Sequence, residues 1–152
     1  MLDIDFRNSN ARLSVSLDES LPDIVADPVQ MQQVLVNLIR NALDAIRDDG
    51  APEGERSVIV ATSRYGENVE LAVLDTGGGL GENANRVFDP FFTTRQDGMG
   101  LGLRISKSIA EAHGGELLAS NRPEGGAIFR VLLPLAGDQA EPEPQPWLQQ
   151  YP

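Results

Sequence analysis

The chain has 152 residues, enough for one ordinary domain, and 41% of them are hydrophobic, enough to fill a core. Lys and Arg total 12 against 23 Asp and Glu, a formal charge of −11, which argues against nucleic acid and anionic membrane surfaces as partners. The absence of cysteine and the presence of a single histidine, His113, exclude disulfides, zinc–thiolate centres, Cys nucleophiles and multi-His metal sites.

Residues 1–11 read as a weakly structured lead-in. In "RLSVSLDE", Leu13, Val15 and Leu17 alternate with polar residues, the pattern of a half-buried strand. A helix then begins at "ADPVQ". Asp27 suits the N-cap, Pro28 the first helical position, and Gln30 a capping box. Met31, Val34, Leu35, Leu38, Ile39, Ala42, Ala45 and Ile46 follow at helical spacing, and Gly50 is a plausible stop. "RSVIVATSR" and "NVELAVLDT" read as two strands joined by "YGEN", the second nearly continuous in apolar residues and so expected to be central and buried on both faces. "GGGLGENANRVFDPFFTTRQDGMGLGL" is long for a loop inside a compact domain, which suggests a lid. A helix resumes near Leu101, with Leu101, Ile105, Ile109 and Ala112 on one face, and stops at "HGG". "ELLASN" and "AIFRVLLPL" are two more strands across the turn "RPEGG". From Gly137 onward, prolines alternate with acidic and amide residues, the composition of a disordered tail. The order predicts an α/β two-layer sandwich at residues 12–136: a mixed sheet with helices on one face. No apolar run approaches the roughly 18 residues of a membrane span, and no signal-peptide pattern opens the chain. The expectation is a cytoplasmic domain without direct membrane contact.

Asn37, Asn41 and Asp44 lie along one border of the apolar face of the first long helix, with Gln30 and Gln33 extending it backward. Any one Asn there can be a solvated flank. As a set, neutral amide oxygens facing a cleft suit Mg²⁺, which prefers oxygen ligands and shares its coordination with phosphates and water. The glycine-rich stretches do not fit two common nucleotide motifs. After Gly77 and Gly79 a dinucleotide fingerprint would need glycine where Glu82 stands, and "GMGLGL" has Leu103 at the corresponding place. No Gly-Lys-Ser/Thr occurs for a P-loop. Asp75, at a strand end beside glycines, could accept a hydrogen bond from the exocyclic amine of adenine, which guanine lacks at that position. Gly98, Gly100 and Gly102 lead into a helix N-terminus, where unpaired amides attract phosphate.

In order, "QVLVNLIRNALDAI", "DTGGGL", "FDPFFTTR", "GMGLGLRIS" and "EGGAIFRVLLP" resemble the N, G1, F, G2 and G3 segments of the ATP-binding catalytic domain of bacterial sensor histidine kinases. "NALDA" with "FFTTR" is most similar to the subgroup of nitrogen-regulation and oxygen-sensing kinases. The resemblance runs from about Arg12 to Leu135. It implies the Bergerat fold, shared with gyrase-type topoisomerases, Hsp90 chaperones and MutL proteins, and ATP and Mg²⁺ as ligands. It implies Asn41 as metal ligand, Asn37 near the phosphates, and Asp75 on the adenine amine with Gly77 and Gly79 shaping that pocket. Thr94, Arg95, Gly98, Gly100, Leu101 and Gly102 are then the lid and phosphate contacts, and Phe88, Phe91 and Phe92 the F segment. Two departures from the family pattern stand out. Asp44 occupies a position where many members carry Lys, so the cation for the phosphates falls to Arg95, with Arg104 second. Ala127 replaces a hydroxyl residue that commonly lies near adenine.

The resemblance also bears on the reaction. In the gyrase, chaperone and mismatch-repair relatives, the position of Asn37 carries a Glu that activates water. Asn cannot accept that proton, and general-base assistance is typically worth about 10²–10⁴-fold. The expectation is therefore a histidine kinase, with Asn37 and Arg95 as its catalytic residues. The phosphoryl group would pass to a histidine-bearing helical dimerisation domain, in the parent protein or in trans, and onward to a response regulator. His113, in "EAHGG" at a helix end, reads as structural, and the isolated domain is expected to be monomeric. The alternative is a nucleotide-binding regulatory module without transfer. A serine kinase of the anti-sigma-factor type is disfavoured, since that group generally carries an acid at the Asn37 position.

Overall fold

The computed structural model of the chain describes residues 2–49, 52–89 and 101–136. In chain order the elements are α1 (Leu2–Ser9), β1 (Arg12–Ser16), α2 (Pro28–Asp49), β2 (Ser57–Tyr65), β3 (Asn68–Asp75), α3 (Gly102–Ala112), β4 (Glu116–Asn121) and β5 (Ala127–Pro134). Short 3₁₀ turns lie at Glu53–Glu55 and Gly81–Asn85. The strands form one sheet in the order β1-β2-β3-β5-β4. β1 runs parallel to β2 and every other pair is antiparallel, so the sheet is mixed, as expected. The fold is the two-layer α/β sandwich that the element order predicts.

The core lies between the sheet and the helices. Val34, Leu38, Ile39, Ala42, Leu43 and Ile46 of α2 meet Val58 and Val60 of β2, Val73 of β3, and Phe129, Val131 and Leu133 of β5. These strand positions share one parity and therefore one face of the sheet. β3 is central, but its two faces differ. Val69, Val73 and Asp75 are buried on the helix side, whereas on the other side only Ala72 is, and Glu70 and Leu74 are half-buried. Glu70 pairs there with Arg130 at 4.0 Å. Burial on both faces is thus only partly realised, because the helices cover one face.

α2 starts as the sequence predicts. The Asp27 carboxylate accepts the Val29 N–H at 2.9 Å and its carbonyl accepts the Met31 N–H at 3.0 Å, with Pro28 first in the helix. The capping box with Gln30 is not what closes this end. The Asp27 N–H donates instead to His113 Nε2 at 3.1 Å, and Gln30 is exposed.

Three further expectations need correction. The lead-in contains a helix, α1, seated by Phe6 against the core and by Arg56, whose guanidinium donates to the Ser9 carbonyl at 3.0 Å. β1 forms where predicted but sits at the sheet edge, and Leu13, Val15 and Leu17 are exposed rather than half-buried. Just beyond it, Asp18 accepts bonds from the Ser20 hydroxyl and N–H, which hold its carboxyl below the usual range. α3 turns a different face inward. Ile105 and Ala112 are exposed, while Ser106, Ile109, Ala110 and His113 are buried. Polar Ser106 and His113 occupy the inner row because they meet polar groups of α2 and its cap, and a count of apolar residues cannot see that.

Candidate functional site

The start of β2, the β4–β5 hairpin and α2 meet at the carboxyl end of β3. Asp75, 1% exposed, closes that strand. Its Oδ1 accepts two backbone N–H groups, from Gly77 at 2.8 Å and Ala127 at 3.2 Å. Its carbonyl oxygen accepts Arg122 Nη1 at 2.8 Å. Thr76 Oγ1 accepts the Ser57 N–H at 2.9 Å and ties the end of β3 to the start of β2. The carboxylate is therefore oriented by its own turn and by the start of β5, while Arg122 from the β4–β5 turn holds the main chain.

The glycines around it do different work from one another. A Cβ on Gly77 would lie 2.8 Å from the Ala45 backbone carbon, so this glycine lets the strand end approach α2. The space beside Gly77 is thus filled by α2. Gly79, at φ +77°, sits under Asn121, whose Oδ1 accepts the Leu80 N–H at 2.6 Å and whose Nδ2 donates to the Gly81 carbonyl at 3.1 Å. Gly126, at φ +92°, abuts the Asp75 carbonyl so closely that any side chain would collide with it.

Asn121, Arg122 and Gly126 were not among the residues predicted for the site. "RPEGG" reads as a hairpin turn leading into the last segment of the resemblance, and its contacts with Asp75 arise only when the chain folds back. Ala127 likewise enters through its N–H, which needs no hydroxyl side chain.

Along α2, Asn37, Asn41 and Asp44 are all half-buried at one border of the apolar face, as the spacing predicts, while Gln30 and Gln33 are exposed. Asn37 Nδ2 points to α3, 3.4 Å from the Gly102 carbonyl and 3.3 Å from Ser106 Oγ. Among the described residues, Asn41 makes no side-chain hydrogen bond. Asp44 pairs with Arg47 one turn on. At the start of α3, Leu101 is the N-cap and makes no side-chain capping bond, so the first-turn amides of Gly102, Leu103 and Arg104 receive no side-chain cap from it. The structure thus brings Asn37 to the first turns of α3, and Gly77 and Gly79 to the Asp75 end of the sheet. Thr94, Arg95, Gly98 and Gly100 lie outside the described residues, as do Phe91 and Phe92.

The first part of the expected lid is anchored rather than open. Val87 is buried, and Phe88 meets Phe129 of β5 edge to face with ring centroids 6.4 Å apart. The chain's one lysine, Lys107, lies 5.3 Å over the Phe88 ring. His113 has both ring nitrogens engaged. Nδ1 lies 2.7 Å from the Ile109 carbonyl and Nε2 accepts the Asp27 N–H, an arrangement that needs the neutral ring protonated on Nδ1. Its structural role is as predicted.

A mixed sheet, a helix bearing two amides on its border, and a buried carboxylate beside a glycine turn define an ATPase domain of the Bergerat type. Residues 26–137 match the family described as histidine kinase-, DNA gyrase B-, and HSP90-like ATPase, and the chain belongs to that family. Within it the relatives are sensor histidine kinases. The chain is 44% identical over 133 residues to the sensor protein FixL of Bradyrhizobium diazoefficiens, covering 87% of this chain and 26% of FixL. It is 33% identical over 140 residues to the sensor histidine kinase ZraS of Escherichia coli K12, covering 91% and 29%. Among solved structures, the catalytic domain of the histidine kinase ThkA superposes with a TM-score of 0.72 at 28% identity, covering 88% of this chain and 85% of that one. Full-length ShkA, solved in complex with AMPPNP, superposes at 0.73 with 27% identity, covering 91% and 28%. The chain therefore spans about a quarter of the length of these two curated relatives. Among the described residues no helix is long and apolar enough to cross a membrane.

Proposed function

We propose that this domain binds ATP with Mg²⁺ and donates the γ-phosphoryl group to a histidine on a separate helical dimerisation domain. That domain would lie in the same polypeptide or act in trans, with a response regulator downstream. The observation that carries the reading is the pair of neutral amides on the border of α2, Asn37, which reaches the first turns of α3, and Asn41 one turn further along α2. The AMPPNP complex of ShkA, a structural relative, supports nucleotide as the ligand.

In this reading the adenine amine donates to Asp75, whose carboxylate is oriented in advance by the Gly77 and Ala127 amides. Gly79 shapes the turn beside it. The phosphates face the N-terminus of α3, where Leu101 and Gly102 begin the helix and the amides and macrodipole favour an anion. Thr94, Arg95, Gly98 and Gly100 of the lid complete the phosphate contacts, with Arg95 supplying the cation. The donor set fits Mg²⁺. Asn41 offers a hard neutral oxygen, and among the described residues no three His, Cys, Asp or Glu gather to hold a metal alone, so coordination would be shared with phosphates and water. Bound Mg²⁺ supplies neutralisation of charge on the β- and γ-phosphates.

Asn37 has no basic atom to take a proton from water, so hydrolysis lacks the general base typically worth about 10²–10⁴-fold. The acceptor imidazole then forms the new N–P bond as the bond to the bridging oxygen breaks and ADP leaves. The test mixes this domain with a histidine-bearing helical domain and γ-labelled ATP. Acid-labile label on the partner is expected. Nucleotide binding without transfer would favour a regulatory module, and absence of binding would refute the reading.

A further inference from the structure

Ser106 stands out among the inward-facing residues of α3. It is completely buried, in a row with Ile109 and Ala110, where an apolar side chain would serve packing better. Burying a hydroxyl is unfavourable without a hydrogen-bonding partner. Its partner is on another helix: Asn37 Nδ2, 3.3 Å away. The same Nδ2 lies 3.4 Å from the Gly102 carbonyl, one turn earlier on α3. Both bonds are long and individually weak, but they agree in direction. A carbonyl oxygen can only accept, so the group turned toward α3 must be the amide nitrogen; the flipped rotamer would set two oxygens against each other. Asn37 Oδ1 therefore faces away from α3.

We propose that Ser106 is a positioning residue for Asn37. With the Gly102 carbonyl it fixes the amide so that Asn37 presents its oxygen, an acceptor, to the metal-bound water of the nucleotide complex. The inference rests on the functional reading above and deepens it. It also specifies that Asn37 does not use its NH₂ group on the phosphates, because that group is committed to α3. Since Gly102 and Ser106 lie on the first turns of the helix that follows the lid, the orientation of Asn37 depends on α3 holding its place.

The experiment compares Ser106→Ala, Ser106→Cys and Ser106→Thr with the unmodified domain. Cys keeps the volume and loses the good acceptor, and Thr keeps the hydroxyl. Side-chain amide resonances of Asn37 in a ¹⁵N spectrum, recorded without nucleotide, report the contact directly. They should move in the Ala and Cys variants and return toward their original position in Thr. Calorimetry should show MgATP binding weakened about three- to tenfold in Ala and Cys, the value of one neutral hydrogen bond. Binding of ADP without Mg²⁺ should stay within about twofold, less than the value of one such bond. A merely structural role would weaken both ligands together and leave no rescue by Thr. Unmoved Asn37 resonances, or equal loss for MgATP and metal-free ADP in folded Cys variant, overturn the inference while leaving the kinase reading intact. If the unmodified domain binds no MgATP, both fall. If Ala fails to fold, the Cys and Thr pair decides.

Discussion

Replacing Asp75 by Asn separates adenine recognition from folding, because the surroundings of this carboxylate fix what the new amide can do. Oδ1 receives N–H groups from Gly77 and Ala127. Two donors will hold the amide oxygen in the same place and turn the new NH₂ toward the other carboxylate position. A hydrogen bond to a charged group contributes about 1.5–3 kcal/mol and a neutral one about 0.5–1.5, so the two retained bonds lose together about 2 kcal/mol. Against this stands relief from burying a charge at a position 1% exposed, an effect of several kcal/mol in the opposite direction. Folding stability should therefore change little or rise.

Binding behaves differently. In the proposed pose the adenine amine donates to Asp75, and in the variant a donor meets a donor. The lost charge-assisted bond and the unsatisfied donor together amount to about 2.5–6 kcal/mol, a weakening of roughly 10²-fold or more. Guanine has a carbonyl where adenine has its amine, so the new NH₂ should narrow or reverse the preference for ATP over GTP. Calorimetric titration with MgATP and MgGTP, beside thermal melting by circular dichroism, measures both effects. A folded variant with an unchanged ATP-to-GTP ratio would refute adenine recognition by Asp75.

Asn41→Ala should abolish Mg²⁺-dependent ATP binding without loss of fold: Asn41 makes no side-chain bond to the described residues, and Ala is the better helix former by about 0.7 kcal/mol. Native circular dichroism with unchanged MgATP affinity would sink the metal assignment. Asn37→Glu should raise phosphate release about tenfold, well short of a fully positioned general base because the water site is not built for one, and should slow transfer to a histidine-bearing partner. Steady-state hydrolysis as fast in the unmodified domain as in the variant would contradict it. His113→Ala leaves the buried Asp27 N–H unmatched at the start of α2 and opens a cavity, together about 2–4 kcal/mol. Melting should fall by about 6–15 °C, the range expected for a domain of this size, and an unchanged melting temperature would remove His113 from the architecture.

The parts of the fold that depend on local chemistry were legible in the sequence. α2 declared its start through Asp27 and Pro28, and its inward face by eight apolar positions, with only Leu43 missed. β2, β3, β4 and β5 lie within about a residue of where alternation and turn signals put them. What failed depended on partners distant in sequence. α1 exists because Phe6 reaches the core and Arg56 holds the Ser9 carbonyl. The exposure of Leu13 and Val15 follows from the edge position of β1, which alternation cannot report. The inward row of α3 holds Ser106 and His113 because their partners, Asn37 and Asp27, come from α2 and its cap. At the site the same division holds. The placement of Asn37 and Asn41 on the border of α2 and of Asp75 at a strand end was readable from spacing. Arg122 and Gly126 were not, since a hairpin turn gains its role only by folding against the end of β3.

A domain with a formal charge of −11 that binds a polyanion has to solve an electrostatic problem, and the structure indicates how. Its one lysine is committed to the Phe88 ring and lies 4.0 Å from Glu111. Arg122 is spent on the Asp75 carbonyl and Glu124, and Arg47 on Asp44. Beside the proposed phosphate position the described residues offer the first-turn amides of α3, the two asparagines of α2 and, on that same first turn, the exposed Arg104. The α3 amides favour phosphate with or without metal, whereas Asn oxygens ligate a cation and repel bare phosphate, so the pair favours a metal–phosphate ensemble over bare ATP. The acidic surface meanwhile repels free ATP over the Debye length, about 10 Å at 0.1 M salt and about 30 Å at 0.01 M. Affinity for ATP in the presence of a chelator should therefore be weak at low ionic strength and strengthen as salt is raised. Affinity for MgATP should change much less over the same range. Titrations at low and near-physiological salt, with Mg²⁺ and with chelator, test this. A phosphate site dominated by Arg or Lys side chains would lose affinity with salt in both series. That outcome would mean that side-chain cations, the proposed Arg95 among them, outweigh the α3 amides and the asparagine pair in phosphate recognition.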